Sequence, residues 1–230
     1  MTTPNQAPFD ARVRAAVTAY IVEEGFAPTV EALATRLDVS AETIKAALLW
    51  LNENHGLVLH PNSYDIWVAH PFSLAPTSFW VISERGSWWG NCGWCALGIA
   101  AMLQEDTRIV TRLGAQDVPL EIHVRDGRVA ASEVVLHIAL PVAQWWDNVL
   151  YTCGTILFFG SDAAVDAWCR NCNIPRGQTL TLEQAWNLAQ AWYSDYLSPA
   201  WRRHSTGEAQ AIFEALGLTG PFWALDPDWK

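Results

Sequence analysis

The chain of 230 residues is 51 % apolar and carries a formal net charge of −10; it is long enough to bury a core without disulfide staples, and its charge sign argues against nucleic acid or an anionic membrane as partner. No uninterrupted apolar run approaches the length needed to span a bilayer, and the start, Met1-Thr2-Thr3-Pro4-Asn5-Gln6, lacks the basic-then-apolar layout of a secretory signal, so a cytoplasmic location is expected. Five cysteines are an odd number, and a reducing compartment keeps them as thiols rather than as a disulfide framework.

Within residues 10–24, Val13, Val17, Tyr20 and Ile21 recur at helical spacing, and Gly25 with Pro28 ends that helix. Thr29 caps a short helix over 30–37, and Ser40 opens a third over 40–54 in which Ile44, Ala47, Leu48 and Leu51 share one face. Two strand-like pieces follow His55-Gly56, at 57–60 and 66–69, joined by the turn residues Pro61-Asn62-Ser63. Three helices followed by a hairpin have the layout of a winged helix, a module that usually reads DNA. Across residues 1–75, however, Arg12, Arg14, Arg36 and Lys45 stand against eight acids, and the would-be recognition helix offers Lys45 alone against Glu42 and Glu53. Phosphate contacts need Lys or Arg, so a structural or pocket-covering role is expected here and no nucleic-acid partner.

His70-Pro71-Phe72 and Ala75-Pro76-Thr77 read as a stiff link, dividing the chain into a winged-helix-like part (1–75) and a second part (76–230). In the second part strands are expected at 79–83, 108–113, 120–124, 134–140 and 150–159, and helices at 92–103, 163–170 and 182–197. Arg125-Asp126-Gly127-Arg128 supplies a hairpin turn. Strands that follow one another in sequence imply an α+β fold with a mixed, mostly antiparallel sheet. The tail carries an amphipathic helix at 207–216 and an irregular, Trp-bearing end.

Cys95 closes the segment Trp88-Trp89-Gly90-Asn91-Cys92-Gly93-Trp94-Cys95, where a strand-like stretch passes into an apolar helix-like one. A thiol there faces the positive end of a helix, and the free backbone N–H groups favour its thiolate. Cys153 opens the run Cys153-Gly154-Thr155-Ile156-Leu157-Phe158-Phe159, which reads as a buried strand; if strand and helix pack together, two thiols meet. Of fourteen tryptophans, Trp88, Trp89 and Trp94 flank the first cysteine and Trp145 and Trp146 precede the second. They fit core packing, and equally the walls of a dry pocket for an apolar ligand.

Several chemistries compete for these cysteines. Cys92-Gly93-Trp94-Cys95 is a C-x-x-C pair suited to dithiol redox work. Joined to Cys169-Arg170-Asn171-Cys172 it would make a four-thiolate zinc set, although a whole sheet separates the two units and Cys169 lies within an expected helix. A cysteine hydrolase needs an activating histidine. None of His55, His60, His70, His123, His137 and His204 sits in a recognisable catalytic context, and His137 alternates with apolar neighbours as a sheet residue would.

Trp94-Cys95-Ala96-Leu97 entering a helix, with the later Cys153 leading into Phe158-Phe159-Gly160-Ser161, resembles the organomercurial (alkylmercury) lyase family. The helical front part, a Thr77-Ser78-Phe79 strand before the first cysteine and the segment Pro119-Leu120-Glu121-Ile122 fall in the order that family shows. The resemblance implies cleavage of a carbon–mercury bond by protonolysis: two soft thiolates on one mercury push electron density toward carbon, which takes a proton and leaves as hydrocarbon. It implies Cys95 as first thiolate and Cys153 as second. No cofactor is implied, since mercury enters with the substrate, and the expected partner is a small apolar or organometallic ligand. The family's third catalytic residue, an aspartate three positions after the first cysteine, corresponds here to Gly98. Such a group commonly contributes about 10²–10⁴-fold. Three replacements stay open: Cys92, one helical turn before Cys95, as third metal ligand or proton carrier; a carboxylate from elsewhere such as Asp147; or a scaffold retained for another substrate or for metal binding alone.

Overall fold

Each of the first three helices carries one apolar stripe, and together they close on a shared core. In the computed structural model, which describes residues 6–114, 116–198, 201–227 and 229, these are α1 (Gln6–Glu24), α2 (Val30–Leu37) and α3 (Ala41–Glu53). Thr29 accepts from the N–H of Ala32 and Ser40 from that of Thr43, so both expected N-caps form. Val13, Val17 and Ile21 of α1 meet Leu33 of α2 and Ile44, Leu48 and Leu51 of α3, all buried.

The hairpin expected next is β1 (Val58–Leu59) with β2 (Ile66–Ala69). A further strand, β3 (Phe72–Ser73), occupies part of the segment read as a link and pairs antiparallel with β2. Then come β4 (Trp80–Ile82), β5 (Ser87–Gly90), the helix α4 (Gly93–Leu103), β6 (Thr107–Arg112), β7 (Pro119–Arg125) and β8 (Arg128–Val129). The eight strands form one antiparallel sheet in the order β1-β2-β3-β5-β4-β6-β7-β8, continuous across residue 75. At the β7–β8 turn Arg125 pairs with Arg128, and Asp126 and Gly127 both take positive φ (49° and 70°), the twist a two-residue hairpin requires. β3 and β5 escaped the sequence reading because two to four residues carry too few alternations to reveal a period of two.

A second sheet has β9 (Val135–Ile138) at its centre. Between β9 and the next strand the chain forms α5 (Val149–Thr155), followed by β10 (Phe158–Phe159), α6 (Asp162–Cys172), β11 (Gln178–Thr181), α7 (Leu182–Tyr193) and α8 (Thr206–Ala215). The strand order is β10-β9-β11, again antiparallel. The long strand expected over 150–159 is therefore corrected: only its last two residues are extended, and Cys153 sits on a helix. Asn148 caps that helix by accepting from Tyr151 N–H. Val149, Thr152, Cys153 and Ile156 turn inward while Leu150, Tyr151 and Gly154 are exposed, a helical burial pattern that the β-favouring composition conceals.

The architecture is α+β: N-terminal helices, then antiparallel sheets with interspersed helices. None of the described helices is long and apolar enough to cross a membrane. α4 is buried along its whole length, as befits a helix that is apolar all round; it lies between the large sheet and α7. Several tryptophans act as polar-tipped wedges: Trp88 donates to the carbonyl of Ile21, joining β5 to α1, and Trp186 donates to Gly127, joining α7 to the β7–β8 turn.

Candidate metal centre

The entry to α4 is pinned from two sides. Asn91 N–H donates to the carbonyl of Pro71 (3.1 Å), in the turn between β2 and β3, and Gly93 N–H donates to that of Ile156 (3.0 Å), at the end of α5. Glycine is needed at 93 because a Cβ there would stand 2.8 Å from Leu136 Cδ1 and 3.2 Å from the Ile156 oxygen. This docking brings together one thiol from the cap of α4, one from its first turn, one from α5, and an imidazole from the β2–β3 turn.

Cys92 is the N-cap residue of α4, its Sγ accepting from Cys95 N–H at 3.3 Å. His70 Nε2 lies 3.9 Å from Cys153 Sγ and 3.3 Å from Asn91 Nδ2. The donor atoms of His70, Cys95 and Cys153 all fall within 4.8 Å of one another, and all three residues are buried. Two sulfurs and one imidazole nitrogen form a donor set for a soft or borderline cation. All five cysteines are free thiols.

The thiols are electrostatically unequal. Burial acts to raise the Cys92 pKa, but hydrogen bonds from the Cys153 and Cys95 thiols and from the backbone N–H groups of Cys95 and Trp94 outweigh it, holding Cys92 well below the usual thiol range. Cys95 is pushed well up, by burial and by the neighbouring Cys92 charge. Cys153 is pushed well up by its hydrogen bonds to Cys92 and Cys95, with burial adding to it. Of the three thiols, the one on the helix cap is the most favoured as thiolate. His70 is driven down to about 3 by burial and by the nearby Arg14 charge, so its imidazole is neutral.

The cluster opens on a cavity of about 50 Å³ walled by Trp94, Trp145, Trp146, Trp192 and Tyr193. No carboxylate lines it among the described residues. On α4, a Cβ on Gly98 would stand 2.6 Å from the Tyr193 ring. The Tyr193 hydroxyl lies 4.0 Å from Cys95 Sγ, and burial, with the neighbouring sulfurs adding to it, holds its proton on well above the usual phenol range. The Tyr193 ring thus occupies the space that a side chain at position 98 would need.

Cys92, Cys95 and Cys153, singled out in the sequence, come together. Asp147 does not reach them; it is exposed and outside the cavity lining. Cys169 and Cys172 lie on α6, where Cys169 packs with Phe159 and Val165 in a separate apolar cluster, so the four-thiolate zinc set does not form. His70, which no sequence context singled out, is brought to 3.9 Å from Cys153. Its separation from Cys95 and Cys153 along the chain left only the adjacent Pro71 turn as a signal, and that segment read as a link. Tyr193 gave none, because aromatic residues recur throughout this chain.

A search of curated proteins finds no match. Among solved structures, the crystal structure of the mercury-bound form of MerB2 superposes with a TM-score of 0.65 at 20 % sequence identity, covering 84 % of this chain and 99 % of that one; likeness at this identity establishes the fold. The family model for MerB, alkylmercury lyase, matches residues 72–194, more than half of the chain and the whole segment from β3 to α7 that carries the thiol cluster. On that match the chain belongs to the alkylmercury lyase family.

Proposed function

We propose that this protein captures an organomercurial on Cys95 and Cys153 and cleaves its carbon–mercury bond by protonolysis, with the Cys92 thiolate as the resident base. The observation that carries the reading is the convergence of Cys92, Cys95 and Cys153 with His70 beside an aromatic cavity. The protons balance without an aspartate. Cys92 takes the proton of Cys95 as Cys95 sulfur displaces the ligand X⁻ from R–Hg–X. Cys153 sulfur then joins the mercury, and its proton passes to carbon as the carbon–mercury electron pair becomes the R–H bond. The products are R–H, X⁻, protonated Cys92 and mercury(II) held by two thiolates. Neutral His70, 3.9 Å from Cys153, orients that thiol and offers mercury a nitrogen, and Cys92 can serve as a third sulfur ligand once its proton is lost. Apolar walls keep the thiolate poorly hydrated and accommodate a short alkyl group.

The test is to incubate the reduced protein with methylmercury and measure both bound mercury and released methane. Loss of both in Cys153→Ser supports the pair; unchanged capture and turnover in that variant sinks it. A second reading, a thiol metal-binding protein without turnover, is favoured by a cavity lining without a carboxylate among the described residues; it predicts bound mercury with the methyl group retained.

A further inference from the structure

A second chamber of about 40 Å³ lies directly behind the thiol cavity, sharing with it His70, Trp146, Trp192, Tyr196 and Trp229. Its chemistry is the reverse of its neighbour's. Arg14 of α1 is buried, its guanidinium lying 3.6 Å from the centre of the Trp201 ring and 4.4 Å from that of Tyr196. Its Nη2 reaches only the His70 carbonyl at 3.5 Å, and its Nη1 has no hydrogen-bond partner. Arg203, exposed at the edge of this chamber, donates to the Asn54 carbonyl. Among the described residues neither arginine takes part in an ion pair and no carboxylate lines the chamber; Asp195, whose charge acts on Arg14, is exposed.

The same chamber gathers an unusual share of unpartnered polar nitrogens. Trp201 Nε1, Trp229 Nε1 and His204 Nε2 are buried without a hydrogen-bond partner, as is His70 Nδ1. His70 Nε2 lies 3.3 Å from Asn91 Nδ2, so Nδ1 is the ring nitrogen left without a partner. Unpartnered buried donors are costly, and a buried guanidinium that makes no ion pair among the described residues more so. A single small group with several acceptor lone pairs and a negative charge would satisfy them together, and a carboxylate is the form that guanidinium matches in shape. A chamber of this size holds about three water-sized groups, which is the span of a carboxylate.

From this arrangement we infer that the chamber behind the thiols binds a carboxylate, so that the preferred substrate carries an anionic group a short spacer away from its mercury. The carboxylate can belong to the organic group or to a small thiol that delivers the mercury; the chamber sees the same anion in either case. The inference rests on the proposed capture of organomercurials for its substrate class, while anion binding itself stands independently of carbon–mercury cleavage.

The test uses the full reduced chain in two stages. Without mercury, calorimetric titration compares propionate with propionamide. The expected result is saturable binding of the carboxylate, about tenfold or more tighter than the amide, weakened severalfold in Arg203→Gln and lost in Arg14→Gln. With mercury, thiol loss is followed for carboxyethylmercury against propylmercury and for methylmercury delivered by mercaptoacetate against mercaptoethanol. Preference in the first pair assigns the anion to the organic group, and preference in the second to the carrier, each read as the ratio of wild type to Arg203→Gln. Equal binding of propionate and propionamide overturns the inference, as does a folded Arg203→Gln protein that keeps the full preference. Carboxylate binding without methane release would retain this chamber and defeat only the lyase reading.

Discussion

Two thiol–imidazole pairs occur in this molecule at nearly equal distance, and only one has the makings of a site. Cys153 lies 3.9 Å from His70 Nε2, and Cys169 lies 3.8 Å from His137 Nε2. Around the first, two more thiols, a helix N-terminus and an aromatic cavity converge. Around the second, Phe159, Trp168 and Val165 fill the space, and His137 Nε2 is already engaged by the Arg176 carbonyl at 2.8 Å. Proximity of sulfur and imidazole is thus not what separates chemistry from packing. What separates them is a stabilised thiolate with room beside it.

That contrast can be broken most forcefully at the two proposed mercury ligands. Cys95→Ser or Cys153→Ser should reduce methane release from methylmercury about a thousandfold or more, whereas Cys169→Ser should leave it within about twofold. Removing the resident base should cost less: Cys92→Ser keeps both ligands and is expected to slow release about a hundredfold, with mercury capture by thiol titration still nearly stoichiometric.

Next in size are effects on stability. Gly98→Asp drives a side chain into the Tyr193 ring and should lower the melting temperature by about 5–10 °C without raising turnover; adding Tyr193→Ala should recover part of the loss. Acid should weaken the metal-free protein through His70. Its folded pKa of about 3 lies below the unfolded value of 6.5, so between those values the unfolded chain binds the extra proton. Stability is unaffected by this group above pH 6.5 and falls by about 1.4 kcal/mol for each pH unit below it. Denaturant titrations from pH 7 to pH 5 should show that slope, and His70→Asn should flatten it. The smallest effect is expected at the packed pair, where Cys169→Ser should cost about 1–2 kcal/mol for placing a hydroxyl in an apolar cluster.

The uneven legibility of the molecule follows the same division. Helices with a capping residue and one apolar face were readable, and Thr29, Ser40 and the inward stripe of α3 stand where the pattern puts them. The pairing of Cys95 with Cys153 was also readable, but the element carrying Cys153 was not: Thr152, Thr155 and Ile156 favour extended backbone locally, and tertiary burial of one helical face overrides them. His70 and Tyr193 reach the site only through contacts between distant segments, the Asn91–Pro71 bond and the packing of α7 on α4. No spacing in the sequence encodes either. That the Tyr193 ring fills the space beside Gly98 is likewise a property of the fold alone.

The central claim is that three thiols supply the proton for which the family pattern uses an aspartate. Its most direct measurement is a single turnover of one equivalent of methylmercury on reduced protein, with methane quantified in the headspace and mercury followed on the protein. The account predicts close to one equivalent of methane, with mercury(II) left on Cys95 and Cys153. Full mercury binding with the methyl group still attached would contradict it.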